Sequence, residues 1–166
     1  MPLQQPVIDG FEFASAGANK QGVLPLAGFP RLRDMLADDA GEVAYQLDGA
    51  RDEHGRPSLR VRVQGTLQLR CQRCLEAMPF DVESDELLVL AGTLAEIHAE
   101  PADVNAADRV VAGKEMPVRD LVEDELILAL PYAPRHEGCT ASPSPDDAED
   151  KTSPFAGLRG LMSDKH

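Results

Sequence analysis

Cys71-Gln72-Arg73-Cys74 sets two thiols two residues apart, the spacing at which a tight turn lets a pair of thiolates grip one metal ion. Far downstream, His136 and Cys139 repeat the same two-residue gap. Together they form a Cys3His set, which completes a tetrahedral structural zinc site and leaves no open position for a catalytic water. The 61 residues between Cys74 and His136 exceed the span of most compact zinc motifs, so the sequence does not by itself join the two pairs. Two other readings stay open. Cys71 continues the apolar register of the segment before it and suits a buried small hydrophobe. A redox pair is the third reading, but that motif usually opens a helix, whereas this one follows a strand pattern.

A second constellation is cationic. Arg60, Arg62 and Arg70 share one side of an alternating segment that Arg73 extends, and from Arg56 to Leu75 there are five Arg and no acid. Gln64, Thr66 and Gln68 add hydrogen-bonding groups to the stripe. Such a face could touch RNA phosphates, or it could be a solvated sheet face paired with neighbouring acids. No aromatic residue interleaves it, so base stacking is not indicated. Asp120, Glu123, Asp124 and Glu125 are too many and too evenly spread to single out an acid and a base, and read as a solvated or partner-facing helix surface. His54 and His98 sit in polar, turn-like settings. P-loop, GxSxG, HExxH and Rossmann glycine patterns are missing, so no catalysis is expected.

The elements that must position these residues follow from periodicity. Leu59, Val61, Val63, Leu67 and Leu69 hold odd positions and polar residues the even ones, which predicts a long half-buried strand, or two joined at a Gly65 bulge. Phe80, Val82 and 87–90 form the returning strand, making an antiparallel hairpin with Cys71 and Cys74 at its tip. Residues 42–50 predict a strand, and 92–108 a loop with a helical turn. Val110 and Val111 suggest a short edge strand, and 116–130 a helix ended by Pro131. Residues 1–30 show no clear pattern, whereas Leu32, Met35 and Leu36 after Pro30 suggest a short helix stopped at Gly41. The expected class is α+β: an antiparallel sheet built on a long hairpin and packed with one or two helices. The expected organisation is a domain over 1–139, a disordered acidic linker over 140–154 and a short amphipathic C-terminal helix over 155–163.

With 166 residues, 43% hydrophobic, the chain can bury one core. A net charge of -13 argues against a general phosphate-backbone binder and for a basic protein partner. The start of the chain lacks a signal-peptide pattern and no apolar run approaches a membrane span. With an odd number of Cys, three, a cytoplasmic protein without a disulfide framework is expected.

Three separated stretches also resemble one known family. They are 69–76 around the first Cys pair, 122–131 at the end of the helix, and Pro134-Arg135-His136 with Cys139; the ending 153–161 is similar too. The family is YceD, whose members are known as large ribosomal RNA subunit accumulation proteins. The resemblance implies a bacterial, cytoplasmic role in synthesis, processing or stability of 23S rRNA. Two readings follow. One is a non-catalytic assembly factor whose acidic surfaces hold a basic ribosomal protein or large-subunit assembly factor, with rRNA affected through it. The other is direct rRNA binding through the Arg60, Arg62 and Arg70 face. Phe155, Leu158, Leu161 and Met162 return at helical spacing after the linker and read as a docking element for a partner, or as a last helix packed on its own domain.

Overall fold

The computed structural model describes residues 6–101, 103 and 105–139. The chain opens with β1 (Val7–Ile8) and α1 (Gly10–Ser15), whose first turn is capped by Asp9 accepting the Glu12 N–H at 3.0 Å. Then come β2 (Asn19–Pro25), a pair of 3-10 turns, β3 (Leu36–Asp38) and β4 (Glu42–Arg51). The long hairpin is β5 (Pro57–Arg70) with β6 (Ala77–Ala91). After it lie α2 (Leu94–Ala99), β7 (Arg109–Val111), β8 (Met116–Pro117) and α3 (Val118–Ala129). The main sheet runs β2-β4-β5-β6-β7, antiparallel except where β7 joins β6 in parallel; β1 and β8 form a separate pair. The class is α+β.

The alternation in β5 explains the layer order. Leu59, Val61, Val63, Leu67 and Leu69 are buried on one face, where Val43, Tyr45 and Leu47 of β4 join them. That face is covered by α3, through Val118, Val122 and Leu126, and by Phe29 and Leu32 before β3. The opposite face carries Arg60, Arg62, Gln64 and Thr66, flanked across the ladders by Asp48, Asp81, Glu83 and Asp85. At roughly 25 cal/mol per Å² of apolar surface, the one-sided core is the main stabilising contribution.

Gly65 is not a bulge. The register passes through it unbroken, with Gly65 opposite both Val43 and Val82. A Cβ there would stand 2.7 Å from Val43 Cγ1, so the glycine is required by packing and not by a bend. The helix expected after Pro30 is likewise replaced, by a 3-10 turn over Arg33–Met35 and then β3. Leu32 and Leu36 are buried as the pattern demanded, but β4 leaves β5 uncovered beyond Gly65. Strand pairing there, Leu36 with Leu69, satisfies backbone groups that a one-turn helix would leave open. Residues 1–30, patternless in sequence, hold α1 and the sheet edge β2. The linker over 140–154 and the segment over 155–163 lie outside the described residues.

Candidate metal centre

The inward register of β5 carries one residue past its end, so Cys71 is fully buried. The chain then reverses. Cys71 N–H donates to Glu76 O and Leu75 N–H to Cys71 O, each at 2.9 Å, and Leu75 takes the left-handed conformation with φ 65°. Beyond α3, Pro131 stops the helix, and Gln72 N–H donates to Pro134 O at 2.8 Å, docking the post-helix chain on the hairpin tip. A second turn follows, with Cys139 N–H on His136 O at 3.3 Å and Gly138 at φ 68°. The two Cys/His pairs thus sit on two facing tight turns.

These turns bring the four expected ligands together. Cys71 Sγ lies 3.8 Å from Cys139 Sγ, and Cys74 Sγ lies 3.4 Å from His136 Nδ1. All four donor atoms fall within 4.8 Å of one another. Tetrahedral zinc with ordinary bond lengths needs about 3.8 Å between two sulfurs and about 3.6 Å between sulfur and nitrogen. The gap between Cys71 and Cys139 is far beyond the ~2.05 Å of a disulfide. His136 is oriented by its other nitrogen, since Nε2 is 3.1 Å from the Ala77 carbonyl. With the proton on Nε2, Nδ1 is left as a ligand aimed at the cluster, the usual second contact of a metal-bound imidazole. The donor set fits a metal ion.

Electrostatics at the cluster favour thiolate at Cys71 and oppose it at Cys139. Backbone N–H groups, that of Cys74 foremost and then those of Arg73 and His136, hold the Cys71 thiol down to about 5 against the opposing effect of burial. Burial, and then the neighbouring sulfurs, push Cys139 up to about 11. The hydrogen bond to Cys71, followed by the one to Ala77, raises His136 above its ordinary value. One sulfur is therefore ready as an anion, and a bound cation would displace protons from the remaining thiols.

The arginine stripe is only partly available. Arg60 Nε and Nη2 reach Asp85 at 2.6 and 2.9 Å, and Arg62 spans Asp48 at 3.0 Å and Asp85 at 3.4 Å. Arg70, at the end of β5, and Arg73, in the turn, are exposed and form no ion pair among the described residues. Arg73 lines a cavity of about 340 Å³ with Arg135, His136 and Glu137.

The acids of α3 are not the uniform solvated surface expected. Glu123 is buried, and accepts from Arg31 N–H at 2.7 Å, Leu32 N–H at 3.1 Å and Arg31 Nε at 3.0 Å. Glu125 is buried too and takes a hydrogen bond from the Ser84 hydroxyl at 3.2 Å. Its place on the apolar side of α3 was visible in the spacing. Glu123 had no local signal, because its partners lie 91 and 92 positions away. A cavity of about 410 Å³ beside Glu125 is lined by Glu83, Asp85, Glu86 and Asp108 as well. Phe155, Leu158, Leu161 and Met162 lie outside the described residues. Among the described residues, no helix is long and apolar enough to cross a membrane.

No solved structure matches the chain. The family described as large ribosomal RNA subunit accumulation protein YceD matches residues 59–162, a span that takes in β5 from Leu59 onward, all of β6, α3 and all four candidate ligands. The chain belongs to the YceD family, whose name ties it to accumulation of large-subunit ribosomal RNA.

Proposed function

We propose that the protein is a non-catalytic, cytoplasmic factor that supports synthesis, processing or stability of 23S rRNA by holding a basic ribosomal protein or large-subunit assembly factor. Cys71, Cys74, His136 and Cys139 hold one structural zinc ion that fastens the post-helix chain to the hairpin tip. The observation that carries the partner assignment is the pairing of Arg60 and Arg62 with Asp85 and Asp48. It neutralises much of the basic stripe on β5, in a chain of net charge -13, and leaves the acidic hollow around Glu83, Glu86 and Asp108 as a surface suited to a cationic partner.

Affinity capture with the full chain, with and without ribonuclease, tests this. A basic large-subunit protein identified by mass spectrometry should survive ribonuclease and be lost on Glu83→Gln/Glu86→Gln/Asp108→Asn. Capture that vanishes with ribonuclease and with Arg60→Ala/Arg62→Ala/Arg70→Ala would overturn it. One observation favours the second reading, direct rRNA contact: Arg70, Arg73 and Arg135 at the hairpin tip carry no ion pair among the described residues. Such contact would weaken steeply with salt.

A further inference from the structure

A groove runs between α3 and the β6–β7 edge. Its floor is apolar, formed by Leu88, Val110, Ile127 and Leu128 around a cavity of about 330 Å³. Leu128 is 70% exposed there, a large hydrophobe on a core helix left without cover among the described residues. Asp108, Asp124 and Glu125 make one rim acidic. Arg109 adds a demand of another kind. Its Nη2 meets Glu100 at 2.9 Å, but Nε and Nη1 are buried without a hydrogen-bond partner among the described residues. Buried donors in that state cost free energy until an acceptor arrives. The groove therefore calls for an occupant with apolar side chains, a cation for the rim and a carbonyl for Arg109.

The chain carries such an occupant. Residues 151–165 hold Lys151, Arg159 and Lys165 against a single acid, Asp164, in a chain otherwise strongly acidic. Phe155, Leu158, Leu161 and Met162 recur at the spacing of one helical face. A helix seated there would bring free carbonyls at its C-terminal end. Reach is sufficient. Cys139 sits at the hairpin tip, clustered with His136, which meets the Ala77 carbonyl, and Leu88 in the groove is eleven residues along β6 from Ala77, about 36 Å away. The 16 positions from Cys139 to Phe155 can extend to about 50 Å. The family match also runs through 155–162, so the segment is part of the matched module.

We propose that residues 155–162 seat in the groove between α3 and the β6–β7 edge of the same molecule, with the four apolar side chains on Leu128 and its neighbours and Arg159 toward the acidic rim. The chain thus fills its own groove, and because Asp108, Glu125 and Leu128 also border the acidic hollow, a basic partner held there would sit beside the seated segment, on Glu83 and Glu86.

Hydrogen exchange on the full-length, metal-loaded protein tests this. Amides of 155–162 should exchange at least about tenfold slower than unstructured chain. Leu128→Asp, at an exposed position, should return them to unprotected rates while β5 keeps its protection. Phe155→Asp/Leu158→Asp should do the same from the other side, and cannot disturb the described core. Unprotected 155–162 amides in the parent protein would overturn the proposal. So would protection that persists in Leu128→Asp, or that grows with protein concentration, which would assign the occupant to a second copy.

Discussion

Glu123 offers the sharpest test of how the site's scaffold is held. Its carboxylate receives two backbone N–H groups, from Arg31 and Leu32, and one guanidinium N–H. It fastens α3 to the segment that carries Phe29 and Leu32 into the core. Glu123→Ala leaves the Leu32 N–H buried without an acceptor and strips the Arg31 N–H as well. At about 1–3 kcal/mol for each buried unsatisfied group, and with Arg31 still holding Asp124, the loss should be about 3–4 kcal/mol. Glu123→Gln keeps a carbonyl oxygen for the two backbone donors and sacrifices only the contact to Arg31 Nε, so about 1–2 kcal/mol is expected. At roughly 3 °C per kcal/mol for a domain of this size, thermal melts should fall by about 10 °C for Ala and about 4 °C for Gln. An Ala variant melting within about 2 °C of the parent, or a Gln variant as damaged as Ala, would refute the reasoning.

Three further expectations are measurable on the same material. Freshly purified protein should contain about one zinc per chain, and chelation, which opens the loop of 68 positions between Cys71 and Cys139, should lower the melting temperature by on the order of 10 °C, with His136→Ala, which removes one ligand, shifting it the same way; an unmoved melt would count against a structural metal. Burial, assisted by Glu86, Asp108 and Asp124 and opposed by the Ser84 hydroxyl, holds the Glu125 carboxyl above its ordinary range. The folded protein then keeps a proton that the unfolded chain has released, so stability falls as pH rises through that window; Glu125→Gln should raise the melting temperature at pH 7, and the gain should vanish below about pH 4. Leu75 holds φ 65° with its side chain 67% exposed, so Leu75→Gly should cost nothing and gain up to about 1 kcal/mol in denaturant melts, whereas Leu75→Val should destabilise.

The hairpin and α3 were legible because their signals are local. Alternation over 59–69 can only be a strand with one wet face, and the helical spacing from Val118 ends at a proline. The two Cys/His pairs were legible as pairs, but their meeting depended on the path from α3 back to the hairpin tip, which no spacing encodes. The region around Pro30 misled for the complementary reason. Leu32 and Leu36 are buried, as in a helix, yet the vacant edge of β5 decided their conformation. Glu123 belongs with them, an acid among acids in sequence whose burial was fixed by a segment ninety positions earlier.

The facing turns also set an order of events in synthesis. Cys71 and Cys74 emerge first, and His136 and Cys139 follow only after β6, β7 and α3. At about 5–20 residues per second, the first pair waits roughly 3–13 s for the second. During that wait the cell holds a nascent chain with two unprotected thiols and a hairpin lacking its helix. The last ligand to appear is also the one that closes the cluster. On the proposed zinc site, loading would report that synthesis has passed Cys139, and a chain truncated before it would show itself by failing to hold the ion.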